Sequence, residues 1–262
     1  MKKEKDVITQ VVSKNRWSSP KIIKKDFLLI PLFIFFQILT PIIIVFGVLG
    51  VTAMVTQQPP PSYLYNVMLS LSFVIAQFIV LGLFFTLHKF YIANVVRRQY
   101  RIAIHQYLKL MIIIVMVSVM LYYGFNALAH ILPHPFGYVD TQAQRRLEGL
   151  FIHPSALIFT FISVVLLRPL IDELLFRHLL IHELGKKFNL LLMMFVSVLI
   201  ETIVQVYDLI SILEAIPYMI ISIGAVMVYM KSGKNLAASY LYHSTVQPVS
   251  YTHLTLPTIC SV

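Results

Sequence analysis

Charged residues are scarce in this chain, only 12% of 262 residues, while hydrophobic residues reach 58%. Soluble globular domains carry about 25% charged residues, so a water-facing surface over the whole molecule is excluded. Acidic side chains are rarer still, 11 against 21 Lys and Arg, which leaves a formal charge of +10. There is a single cysteine, Cys260, so no intrachain disulfide can form and no thiol argument is available. Internal repeats are absent, as are the paired Gly/Pro-broken helices that mark many transporters. That lack weighs against a small transporter or ion-conducting protein.

What is present is a succession of apolar runs. Seven of them read as spans: Phe27–Val55, Tyr63–His88, Leu108–His130, Phe151–His178, Leu190–Tyr207, Ile210–Met230 and Leu236–Gln247. A membrane helix needs about 20 apolar residues, so the expected fold class is all-α, a polytopic transmembrane bundle of about seven spans. The first run is too long for a signal-peptide core and lacks a small-residue cleavage site, so it reads as a retained anchor. Short connections follow, among them Gln57-Gln58-Pro59-Pro60-Pro61 and the basic turn Lys231-Ser232-Gly233-Lys234-Asn235. Residues 133–149 read as the longest outer loop.

Basic residues set the orientation. Eight of the 21 lie within residues 1–26, and 18 fall on one side of the predicted spans. By the positive-inside rule this places the N-terminus of a multi-pass membrane protein in the cytoplasm. The basic segment reads as a flank facing anionic lipid headgroups, so the expected partner is the bilayer, with no nucleic acid. The chain divides into the basic segment 1–26, membrane spans 27–149, a core of spans 150–247, and a tail 248–262. The tail, from Pro248 through Thr258, back-translates to a transposase-adapter core and reads as foreign sequence. Cys260 and His253 within it are therefore set aside. Nothing in the sequence bears on oligomeric state.

Charges inside apolar spans are expensive, about 2.5–3.5 kcal/mol each, and mark functional candidates. Span four holds Arg168, Asp172, Glu173 and Arg177. Adjacent carboxylates on an apolar helix suit general acid–base work or the holding of water or a metal. Each also has a partner four residues away, Arg168 for Asp172 and Arg177 for Glu173, so two self-neutralising ion pairs explain them equally well. Glu201 and Gln205 interrupt span five, and His243 and Gln247 interrupt span seven. Both pairs are four apart and so share a helix face. Three helices are thus expected to turn polar pairs toward one cavity.

The segment Asp172-Glu173-Leu174-Leu175-Phe176-Arg177 resembles the Glu-Glu-x-x-x-Arg signature of the CPBP family, the CAAX proteases and bacteriocin-processing enzymes also called Abi. Glu201-Thr202-Ile203-Val204-Gln205 stands where its Phe-x-x-x-His motif belongs. His243-Ser244-Thr245-Val246-Gln247 matches His-x-x-x-Asn. The resemblance covers roughly residues 150–247. It implies an intramembrane metallo-endopeptidase acting on membrane-associated peptides or proteins, with roles in bacteriocin processing or self-immunity among Gram-positive relatives. Carried over, Glu173, Arg177 and His243 keep the family residues, and Asp172 stands one methylene short of the first glutamate. Gln205 replaces the second-motif histidine and Gln247 the asparagine. The resemblance makes Glu173 and His243 candidate ligands of a divalent metal such as zinc. Because glutamine is a poor zinc ligand, the competing expectation is a catalytically impaired relative that binds a peptide or protein partner.

The remaining histidines carry less. His182-Glu183 begins a His-Glu-x-x-His pattern that fails at Lys186. His178 and His182, with His88, His105, His130, His134 and His153, read as interfacial residues. Tyr63, Tyr65, Tyr91, Tyr107, Tyr122 and Tyr123 fit aromatic belts.

Overall fold

The computed structural model describes residues 21–88, 92–133, 136–138, 141–206 and 211–250. Most of the basic N-terminal segment, Lys89, Tyr91, His134, and the tail residues His253 and Cys260 lie outside these. The described chain is a helical bundle with eight helices, α1 Leu29–Thr56, α2 Ser62–Leu87, α3 Ile92–Ile131, α4 Gln142–Ile152, α5 Pro154–Lys186, α6 Leu190–Gln205, α7 Ala215–Lys231 and α8 Leu236–Ser250. Among the described residues, five helices (α1, α2, α3, α5 and α7, the first and last extended by short 3-10 turns) are long and apolar enough to cross a membrane. With α6 and α8 the apolar segments number seven, but those two have 16 and 15 residues. At 1.5 Å per residue they cover less than a hydrocarbon core of about 30 Å. The chain is a multi-pass membrane protein.

Two expected loops are helical. Arg97, Arg98 and Arg101, which lie between the predicted spans Tyr63–His88 and Leu108–His130, belong to the 40-residue α3. Its first half is amphipathic enough to continue the helix past the apolar stretch. The outer loop ends at α4, whose N-terminus is fastened by Glu214 Oε2, an acceptor for the Gln142 amide at 3.0 Å. Glu214 also closes a capping box with Ser211 ahead of α7.

Packing is organised around α5. On one side α1 and α2 join it through Phe33, Val80, Leu81, Phe84, Ile171 and Leu179. On another, Ile181 of α5 meets Val198 of α6 with Val226 and Tyr229 of α7. Helices α3, α7 and α8 build a third core around Tyr122, Ala225, Val228, Ala238 and Tyr242. Here Gly224 allows three helices to meet, because a Cβ at that position would collide with the Tyr242 ring end and the Ser118 hydroxyl. Tyr242 donates to that hydroxyl at 2.7 Å. Close approach at a small residue is the usual way membrane helices gain contact.

The N-terminal edge is knit to α5 by buried polar groups. Asp26, 1% exposed, receives His178 Nε2 at 2.8 Å and lies 3.1 Å from His88 Nε2. The Ile23 amide donates to Glu183 at 2.7 Å. His178 is thus an interior residue rather than the interfacial one expected. Its place at the basic end of the span concealed that a carboxylate 152 positions away, Asp26, folds back onto it.

Candidate active site

The motif helix α5 is not a regular α-helix. Pro169 offers no amide hydrogen and blocks the ordinary ladder, and the helix widens to i→i+5 bonding over Ile162–Leu167 and Glu173–Glu183. Such π turns occur often at functional sites. Neighbours on a helix point about 100° apart, so Asp172 and Glu173 reach different surroundings.

Glu173 enters a sealed cluster. Its Oε1 lies 3.2 Å from His243 Nδ1 of α8. A carboxylate can only accept, so the Nδ1 hydrogen of His243 donates to it. Its Oε2 lies 3.5 Å from Arg177 Nε. The shortest contact of Arg177 is not this i,i+4 partner but Glu201 of α6, whose Oε1 accepts from Nη1 at 2.7 Å. Arg177 Nη2 donates to the Ser222 carbonyl of α7 at 3.0 Å, and the Ser222 hydroxyl donates to the other Glu201 oxygen. Glu173, Arg177, Glu201 and His243 are all 1% exposed or less. A guanidinium shared by two carboxylates satisfies the fork geometry that makes arginine suited to buried pairs. It ties α5, α6, α7 and α8 together.

Asp172 belongs elsewhere. Arg168 Nε donates to both of its oxygens, at 3.0 and 3.1 Å. Both residues line a cavity of about 440 Å³, together with Gln205 of α6, Gln247 of α8, Gln77 of α2 and Gln37 of α1. The volume lies within the range of ligand pockets. Leu147 and Leu150 of α4 also border it, which gives that helix a place at the mouth of the site.

The six residues singled out in the sequence are therefore divided. Asp172, Gln205 and Gln247 share the cavity, whereas Glu173, Arg177 and His243 share the cluster behind it. The expectation that the polar pairs of three helices all face one cavity is corrected accordingly. The pairs split because Arg177 draws Glu201 and Glu173 inward. Sequence reasoning also missed Gln37 and Gln77. The signal for Gln77 was a lone carboxamide in the middle of an apolar span.

The two residues offered to a metal do not fit one. Glu173 Oε1 and His243 Nδ1 engage each other, and although Glu173 Oε2 and His243 Nε2 are buried without a hydrogen-bond partner, the cation Arg177 lies 3.5 Å from that Oε2. A zinc centre needs three protein donors converging on one point. Among the described residues no three His, Cys, Asp or Glu side chains are grouped that way.

Residues 154–248 match a family model described as type II CAAX prenyl endopeptidase, Rce1-like. No curated protein and no solved structure matches the chain. The matched stretch contains all six motif residues, while α1 and α2, which bring Gln37 and Gln77 to the cavity, precede it. Residues 154–248 are thus similar to the Rce1-like CAAX prenyl endopeptidases, the family whose motifs the sequence resembles.

Proposed function

We propose that this chain is an intramembrane endopeptidase that hydrolyses membrane-associated peptides in the cavity, with Asp172 as the general base. The observation that carries this reading is the placement of Asp172, Gln205 and Gln247, from three helices, on the wall of one cavity. Arg168 orients the Asp172 carboxylate through hydrogen bonds to both of its oxygens. A water on Asp172 loses a proton to it as the water oxygen attacks the scissile carbonyl carbon. The Gln205 carboxamide donates an N–H to the oxygen that gains charge, the task of an oxyanion hole. The carbon–nitrogen bond then breaks, and the proton held by Asp172 passes to the departing nitrogen. Glutamine performs this electrostatic role without changing protonation, which a histidine in its place would not require either. The Glu173–Arg177–Glu201–His243 cluster holds the three helices at fixed spacing, as catalytic geometry demands. No metal takes part in these steps.

The basic flanks support a cytoplasmic N-terminus, and in a bacterial plasma membrane maturation of a bacteriocin or self-immunity to one fits the reaction. In lipid nanodiscs the purified protein should cleave lipid-anchored peptides, and Asp172→Asn should lower the rate by about 10²–10⁴-fold. Equal cleavage by parent and variant overturns the assignment. One observation favours a second reading, a non-catalytic peptide-binding protein: Gln205 stands where the motif carries histidine. Binding without cleavage by the parent protein would establish it.

A further inference from the structure

The polar residues of α2 are not equal. Ser70 bonds the Asn66 carbonyl at 2.9 Å and meets the Thr160 hydroxyl at 2.9 Å. Ser72 donates to the Leu69 carbonyl at 2.6 Å. Gln77, one turn further along and 2% exposed, has a buried Oε1 with no hydrogen-bond partner. Gln37 of α1 presents the same situation, a buried Oε1 without a partner. Both residues line the cavity that holds Asp172 and Gln205. A buried polar group left unsatisfied costs about 1–3 kcal/mol, and at membrane depth no bulk water offsets it. Among the described residues no donor meets these two carbonyl oxygens, and an aliphatic residue at either position would have packed without that cost.

A carboxamide carries a C=O acceptor and N–H donors on one planar group, the same kinds of group that a peptide bond presents. An extended peptide entering the cavity brings N–H and C=O groups that lose their water and need partners. Its requirement and that of the two glutamines are complementary, and they meet in the cavity that Asp172 also lines. We propose that Gln77, assisted by Gln37, binds the backbone of an extended peptide substrate and sets which of its carbonyls lies at Asp172. This inference rests on the peptidase reading for its substrate class, but it concerns α1 and α2, outside the matched domain. Gln77 is a positioning residue, since it holds the chain and takes no part in bond making. Recognition through main-chain groups leaves side-chain choice to the apolar walls and makes the subsite tolerant of sequence.

The test reads affinity, so it stands apart from whether cleavage occurs. A panel of short lipid-anchored fluorescent peptides is titrated against nanodisc-embedded protein carrying Asp172→Asn, with and without Gln77→Met or Gln77→Leu. Each peptide is also made with single amide-to-ester replacements along its backbone. Parent binding should weaken about tenfold on loss of Gln77, the size of about one good hydrogen bond. One ester position should weaken binding to the Gln77 protein and have no effect in the variants. Thermal stability should stay the same or rise in both variants, because an unsatisfied amide is removed. The proposal is overturned if no peptide binds the Gln77 protein, if affinity is unchanged in a folded variant, or if the ester penalty is the same with and without Gln77. Binding that behaves as expected while no peptide is cut by the parent would sink the catalytic reading and leave this one standing.

Discussion

Two polar regions sit back to back on α5, and they solve opposite problems. In the sealed cluster, Glu173, Arg177, Glu201 and His243 use one another as solvent, at contacts from 2.7 to 4.0 Å. In the cavity, Asp172 has one clamp and the glutamines of α1 and α2 have acceptors with no partner. The first region is closed by ion pairs, although Glu173 Oε2, Arg177 Nε and His243 Nε2 lack a hydrogen-bond partner, whereas the second borders a cavity. A membrane interior tolerates unmet hydrogen bonds poorly, so unmet groups on residues that line an open cavity mark the place where a ligand supplies the missing half.

That contrast can be broken from either side. The largest effect is expected from Arg177→Met, which strands two buried carboxylates. Removing one member of a buried ion pair costs about 3–5 kcal/mol, and the loss should appear as a collapse of the thermal midpoint and of folded yield in detergent. Asp172→Asn should do the reverse. Its partner Arg168 is 27% exposed and can turn outward, so the midpoint should hold while catalysis is lost, as read by parallel melting and cleavage assays. If both variants lose stability alike, the division into two regions is wrong. A smaller change is expected from Gln205→His, which restores a titratable group to the second motif. Its cleavage rate should gain a pH dependence that the parent lacks, seen as an added limb in the rate profile. The smallest effect is from chelators: treatment with a strong zinc chelator should leave parent cleavage unchanged, and loss of activity that zinc restores would refute the side-chain mechanism.

Much of this architecture could be read from residue spacing. Long apolar runs located α1, α2, α5 and α7, and the four-residue offsets from Arg168 to Asp172 and from Glu173 to Arg177 located the two ion pairs. What spacing cannot express is contact between helices. Arg177 and Glu201 are 24 positions apart, and nothing in the sequence ranks Glu201 above the nearer Glu173. Asp26 and His178, 152 apart, show the same limit. The first half of α3, and α4, were obscured for another reason. Their polar faces break the run of hydropathy on which a span is recognised, although helical periodicity continues through them. Gln77 was overlooked because one amide in an apolar run carries no pattern, and its meaning emerges only when its partnerless oxygen and its place beside Asp172 are known together.

The contact at Gly224 has a consequence for the imidazole that follows Tyr242 in the chain. His243 is placed by α8, α8 is seated by the Tyr242 ring, and that ring rests where Gly224 has no side chain. The setting of the histidine is therefore calibrated by a missing methyl group on another helix. Exchange of that glycine for alanine keeps every charged residue in place by identity, yet it inserts a shim under α8 and shifts the whole helix in its seat. Such a position acts as a mechanical datum for the site: it touches none of the reacting groups and still fixes how far apart they stand.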